Sequence, residues 1–113
     1  MSAKKRYNYR HLPAFILLLL AEGKAHGGAI HSLLSERLPH FQTDTGAVYR
    51  SLQQLENEGS AASVWDTTES GPARKIYHIT SSGRDKLAEW EQDIEARMAN
   101  LNYFLETYKK LKN

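Results

Sequence analysis

Gly46, Tyr49, Arg50 and Gln53 follow one another at intervals of three, one and three residues, a spacing that gathers them along one side of an α-helix. Each brings a distinct capacity for meeting an anionic polymer. A glycine near a helix N-terminus lets backbone amides approach a phosphate with the helix dipole assisting. A phenol donates to a phosphate oxygen, and a guanidinium pairs bidentately with a guanine edge or a phosphate. Gln53 lies one turn further along the same side. Thr43 and Thr45 flank the entrance to this helix and are counted with it, whereas Asp44 between them is expected to cap the helix. Arg74 and Lys75 form a second group placed just after a turn, where paired cations can straddle backbone phosphates and add salt-dependent, sequence-blind affinity. Lys4, Lys5, Arg6 and Arg10 make an acid-free arm able to reach a groove or a phosphate. The blander alternatives are a core tyrosine, a solvated arginine, a solubilised hairpin edge and a disordered basic terminus.

Other chemistries find little support. The chain has no cysteine, which removes disulfides and thiolate metal sites. No nucleophile with a base, carboxylate pair or ligand cluster emerges. His26-Gly27-Gly28 looks like the oxyanion turn of some hydrolases, but the glycine-x-serine-x-glycine elbow that must accompany it is absent. His26 and His31 are five residues apart and diverge on a helix, a poor metal pair. No catalytic residue, metal or cofactor is therefore expected. The net charge is only +2, from 15 basic and 13 acidic residues, so distribution matters more than total. The basic arm stands at one end, whereas four acids fall between Glu89 and Glu95.

The 113 residues, 41% hydrophobic and 25% charged, suit one folded domain with a modest core. The longest apolar run, Ala14 to Ala21, is far short of the roughly 20 residues that span a bilayer. It is followed at once by Glu22 and without a cleavage signal, so the chain is expected to be unprocessed and cytoplasmic.

The elements that must position these groups are legible from periodicity. Pro13, the apolar run and Gly23 predict a first helix over about 13 to 22. Ile30, Leu33, Leu34 and Leu38 predict a second, ending before Pro39. Thr43-Asp44-Thr45 and the stripe Val48, Leu52 and Leu55 predict a third that stops at Gly59, with Phe41 anchoring the connection. Ala61 to Thr67 and Ala73 to Ile79, separated by Glu69-Ser70-Gly71-Pro72, predict a hairpin whose buried face the pattern leaves open. Thr80 to Ser82 cap a last helix of about 28 residues, in which Leu87, Trp90, Ile94, Met98, Leu101, Leu105, Tyr108 and Leu111 step by three or four. That stripe is longer than so small a core can cover, so a homodimer through it is expected.

Three helices, a hairpin and a long helix make a mainly α fold, a winged helix-turn-helix followed by a C-terminal dimerisation helix. In such a fold the third helix enters the major groove and the hairpin lies along neighbouring phosphates. The division expected is residues 1–80 for the winged unit and 81–113 for the dimerisation helix. Particular residues sharpen this: the run Ile16 to Gly23, His26-Gly27, Thr45 to Leu52, Leu55 to Gly59, and Arg74 to Thr80 with Gly83-Arg84. Together they resemble the PadR-like family of bacterial transcriptional regulators over about residues 12 to 90. The most specific parts are the glycine-x-x-tyrosine-arginine start of the third helix and the arginine-lysine-x-tyrosine-x-x-threonine second wing strand. The sequence departs from that family at Gly28, where an aromatic usually follows His-Gly, and at Ser60-Ala61-Ala62, where bulkier aliphatics usually begin the wing. Both changes are expected to loosen packing.

The resemblance implies a dimer whose C-terminal helices pack mutually, and the two-fold symmetry of a dimer predicts a pseudo-palindromic DNA operator. Trp90, with Leu87 and Ile94, is expected to line a dimer-interface pocket able to accept a flat aromatic effector. A repressor is the expected role. The alternative class is a winged-helix module that binds protein instead of DNA.

Overall fold

A computed structural model describes residues 10–38, 40–68 and 71–113. Lys4, Lys5 and Arg6 of the basic arm, Pro39, and Glu69-Ser70 of the expected turn lie outside the described residues. Helix α1, Leu12–Glu22, has a proline in its first turn, where an N–H would have no helical partner. Its residues Leu12, Ile16, Leu17, Leu19 and Leu20 are buried, and it touches every other helix and the second strand. It is central, with Leu18 alone among its leucines turned out. Gly23 does follow its end, but with φ of 171° it is extended, a conformation open to any residue, and not the left-handed stop its position suggested.

Helix α2, Gly27–Arg37, is capped by His26, whose Nδ1 accepts from the Ala29 amide at 3.3 Å. It buries Ile30 and Leu34, while Leu38, expected within the stripe, falls just past the helix as its C-terminal cap. Helix α3, Thr45–Asn57, is capped as expected by Asp44, whose carboxylate accepts from the Ala47 amide at 2.6 Å. Its end is set by Gly59 at φ +83°. There the Ser60 amide reaches the Leu55 carbonyl and the Gly59 amide the Glu56 carbonyl, a Schellman arrangement that only a residue tolerant of the left-handed region allows.

Strands β1, Ala61–Asp66, and β2, Arg74–Ile79, pair antiparallel with Ser63 opposite Tyr77 and Trp65 opposite Lys75. The face left open by the sequence is settled by Tyr77, which is buried in the core with Ile79 half-buried against it. Ala25 adds a bridge that no pattern announced: its amide and carbonyl exchange hydrogen bonds with Tyr77 at 3.1 and 2.9 Å. The wing is thereby fastened to the turn between α1 and α2.

Helix α4, Ser81–Lys112, runs for 32 residues, about 48 Å at 1.5 Å per residue. Thr80 starts it, accepting from the Gly83 amide at 3.1 Å and donating to the Gly59 carbonyl at 2.6 Å. The Thr80 amide also donates to the Ser60 carbonyl at 3.1 Å. The end of α3, both wing strands and the first turn of α4 therefore meet at one joint. Ser60, Ala61 and Gly83 are all buried there. The close approach there is between Gly83 and the Ser60 carbonyl, which a Cβ at position 83 would strike.

The core lies between α1, α2 and α3, where Leu12, Ile16, Leu17, Ile30, Val48, Leu52 and Leu55 are fully buried. Phe41 fulfils its anchoring role, meeting Phe15 edge to face with ring centroids 6.0 Å apart.

Candidate nucleic-acid interface

Because Ala47, Val48, Leu52 and Leu55 commit one side of α3 to the core, the opposite side faces outward. Thr45, Tyr49, Arg50 and Gln53 are all exposed there, so Tyr49 is not a core residue. Its ring lies over Gly27 so closely that a Cβ at that position would collide with it. Gln53 donates from Nε2 to Asn57 Oδ1 at 3.0 Å, which draws its amide along the helix. Two expected contacts look different in place. The space above Gly46 holds Asp44 Oδ1 and Arg50 Nη1, which would stand 3.1 and 3.2 Å from a Cβ there. Thr43 turns its Oγ1 inward, buried without a hydrogen-bond partner, and its carbonyl meets His31 Nε2 at 3.2 Å. Its visible role is to tie the start of α3 to α2.

The cations of the wing divide. Arg74 is exposed, with Nη1 3.2 Å from His26 Nε2. Lys75 is held by Glu56 of α3 at 3.0 Å and sits 5.5 Å from the centre of the Tyr77 ring. The other Glu56 oxygen accepts from the Ser63 hydroxyl at 2.6 Å. Lys75 thus fastens the wing to α3. Glu56 is the centre of this clasp. Its involvement follows from strand pairing, since Ser63 and Lys75 share a face of the hairpin.

The Ser63 hydrogen bond and then the Lys75 ammonium hold the Glu56 carboxyl below its ordinary value, against burial pushing the other way. Glu56 in turn raises Lys75. A depressed carboxylate contributes stability above its unfolded value and loses it as pH falls through the folded one. A raised amine contributes below its unfolded value and loses it as pH rises through the folded one. The clasp is therefore complete across the neutral range. Urea midpoints of the parent and Glu56→Gln are expected to differ at neutral pH and to converge as pH falls below the usual carboxylate range; a gap that persists in acid would contradict the assignment.

Ala14, Phe15 and Leu18 of α1 and Leu87, Trp90 and Ile94 of α4 line an open groove of about 390 Å³. Leu87 packs against the chain's own core, and Trp90 and Ile94 are half-buried, so the first part of the expected dimer stripe is already engaged within the chain. His11 meets Trp90 edge to face at 5.7 Å and buries Nε2 without a partner. Beyond this point α4 leaves the body: Met98, Leu101, Phe104, Leu105, Tyr108 and Leu111 are between 50% and 76% exposed. Phe104, absent from the predicted stripe, stacks on Tyr108 with centroids 6.1 Å apart. Among the described residues no group of three or more His, Asp or Glu gathers to hold a metal, and no helix is long and apolar enough to cross a membrane.

Comparison with known proteins agrees with this arrangement. The model of the transcriptional regulator PadR-like family matches residues 16–89. A probable transcriptional regulator of Mycobacterium tuberculosis is 31% identical over 80 residues, 70% of this chain. The chain spans only 42% of that relative's length. A crystallised conserved protein described as a potential transcriptional factor superposes with a TM-score of 0.79 at 34% identity, covering 96% of this chain and 97% of its own. PadR of Bacillus subtilis, solved in complex with operator DNA, superposes with a TM-score of 0.66 at 30% identity over 74% of this chain and 48% of its own.

Proposed function

Since the chain belongs to the PadR-like family of transcriptional regulators, whose members are not enzymes, we propose that it is a cytoplasmic, homodimeric repressor that binds a pseudo-palindromic operator in double-stranded DNA. The observation that carries this reading is the two-sidedness of α3, which buries Val48, Leu52 and Leu55 while presenting Tyr49 and Arg50 to solvent. Bacillus subtilis PadR was solved on operator DNA, which supports the same use of the fold here.

In this reading α3 enters the major groove with Thr45, Tyr49, Arg50 and Gln53 toward the bases and nearby phosphates, while Arg74 reaches backbone from the wing. Gly46, Thr43 and Lys75 shape and hold that surface from behind. Residues 1–80 form the DNA-binding unit and 81–113 the dimerisation helix, whose exposed apolar half is covered by a second copy. Two recognition helices related by a two-fold axis then meet half-sites about one helical turn apart.

Arg50→Ala is expected to cost about 1 to 3 kcal/mol of operator affinity and to relax preference at one base position. Fluorescence anisotropy at several salt concentrations measures both this and the steep loss of affinity with salt that phosphate contact requires. Unchanged binding in Arg50→Ala combined with Tyr49→Phe would remove α3 as the reading element.

The groove at Trp90 fits a flat aromatic effector that releases the operator: its volume suits a small molecule, and Phe15 and Trp90 offer ring faces for stacking. With exposed Trp65 changed to phenylalanine, a planar aromatic ligand is expected to perturb Trp90 emission and to weaken DNA binding together, with reciprocal coupling. If no ligand does both, Trp90 is a packing residue only.

A further inference from the structure

Between the start of α2, Tyr49 of α3 and the first residues of β2 lies a cavity of about 530 Å³, and its polar wall contains a contradiction. His26 Nδ1 accepts from the Ala29 amide, so this nitrogen carries a lone pair. In the neutral ring the proton is then on Nε2. That N–H stands 3.2 Å from Arg74 Nη1, and a guanidinium can only donate. Neither neutral tautomer serves both contacts, and turning the ring over would set carbons against both donors. Two donors from distant parts of the chain therefore stand 3.2 Å apart, a juxtaposition that an anion beside them would relieve.

We propose that His26 and Arg74 jointly hold one backbone phosphate of the bound DNA. The site rests on the DNA-binding reading above and adds to it a residue, His26, that the third helix and the wing do not supply. A phosphate oxygen suits the position because it only accepts and its charge complements Arg74. Access is provided by what the wall lacks. Gly28 lies beneath the imidazole, where a Cβ would already be 3.3 Å from Cε1 and Nδ1, and Gly27 leaves room for the Tyr49 ring. Tyr49 lines the same cavity. Asp66 stands opposite Arg74 in the ladder. Asp66 Oδ1 accepts from the Thr68 amide and hydroxyl at 3.0 and 2.7 Å, which directs that carboxylate along its own loop. Lys75, also on the wall, is bound to Glu56. His26 and Arg74 thus bridge the helix-turn-helix and the wing across one anion, which fixes the distance between the two DNA-contacting parts.

The test uses the full chain and a duplex selected by it from a random pool, resynthesised with one neutral methylphosphonate at each backbone position in turn. The parent is expected to lose about tenfold in affinity at one position per half-site. His26→Asn keeps a capping acceptor for α2 but has no counterpart of Nε2–H. It is expected to bind the unmodified duplex about five- to tenfold more weakly and to be indifferent to the methylphosphonate at that position. Arg74→Gln should lose sensitivity at the same position and show a salt slope shallower by about one. The double variant should bind no worse than about threefold below the weaker single variant. Parental affinity and an unchanged methylphosphonate profile in folded His26→Asn would overturn the proposal. If that variant does not fold, retention of the sensitive position in Arg74→Gln overturns it instead. Inorganic phosphate shifting the His26 imidazole resonances, with no sensitive position in the duplex, would mark a free-anion site and also overturn it. A parent that binds no duplex would overturn the DNA-binding reading itself, an outcome distinct from a parent that binds and a His26 that does not matter.

Discussion

Leu101→Glu combined with Leu105→Glu is expected to break the proposed dimer into folded monomers and to lower operator affinity by about 10²- to 10⁴-fold. Both leucines sit on the half of α4 that leaves the body of the chain, 63% and 50% exposed, in a row with Met98, Phe104, Tyr108 and Leu111. A soluble monomer rarely keeps so long an apolar row in water. Two carboxylates placed in it would have to be desolvated for the helices to pack. The fold of the winged unit should survive, since neither side chain touches its core. The large effect on DNA follows from bivalency: a dimer's second recognition helix binds at an effective concentration near millimolar, and a monomer forfeits that gain. Sedimentation equilibrium at micromolar concentration and anisotropy on the same samples decide the matter. A double variant that remains dimeric would place the interface elsewhere, and one that is monomeric with parental affinity would sever dimerisation from DNA binding.

Gly83→Val is expected to lower stability by about 3 kcal/mol or more, against little change for Gly23→Ala. A Cβ at Gly83 would be driven into the Ser60 carbonyl oxygen and would stand 2.7 Å from Ile79 Cγ1. The first of these is backbone at the joint between α3, the wing and α4, and it already accepts from the Thr80 amide. Relief therefore requires moving α4 as a whole, and overpacking of that kind costs more than a displaced flexible side chain. Gly23 has extended backbone and open space around a Cβ, so alanine there is tolerated and removes some freedom from the unfolded chain. Urea unfolding of the two variants compares them directly. Equal stabilities would mean that α4 does not press on Ser60 as described.

Both predictions turn on distinctions that the sequence holds unevenly. Helix α1 was legible from Pro13 and its unbroken apolar run, α2 and α3 because Ile30, Leu34, Val48, Leu52 and Leu55 repeat at helical spacing with Asp44 and Gly59 bracketing α3, and the hairpin from two β-leaning runs about a turn. The outward set Thr45, Tyr49, Arg50 and Gln53 followed by subtraction, once the buried stripe of the same helix was assigned. Pairings between residues distant in sequence were not legible. Gly23 and Gly83 look alike as letters, and only the approach of the Ser60 carbonyl separates them. Lys75 and Arg74 are neighbours with the same charge, yet strand alternation sends one inward to Glu56 and leaves the other beside His26. Glu56 and His26 carried no local signal for these roles because the groups they meet are 19 and 48 residues away. Trp90 was placed correctly on an apolar stripe, but the wall it shares with Phe15 and Leu18 depends on how α4 lies along α1, which periodicity does not specify.

The central claim, that the outward side of α3 in a two-fold dimer reads duplex DNA, is tested most directly by selecting bound duplexes from a random pool with the parent and with Arg50→Ala in parallel. The account predicts that the parent enriches an inverted repeat whose half-sites are centred about 34 to 36 Å apart, and that Arg50→Ala enriches the same repeat with one base position in each half-site relaxed. Enrichment of no common sequence by the parent, or of an identical motif by both proteins, would contradict it.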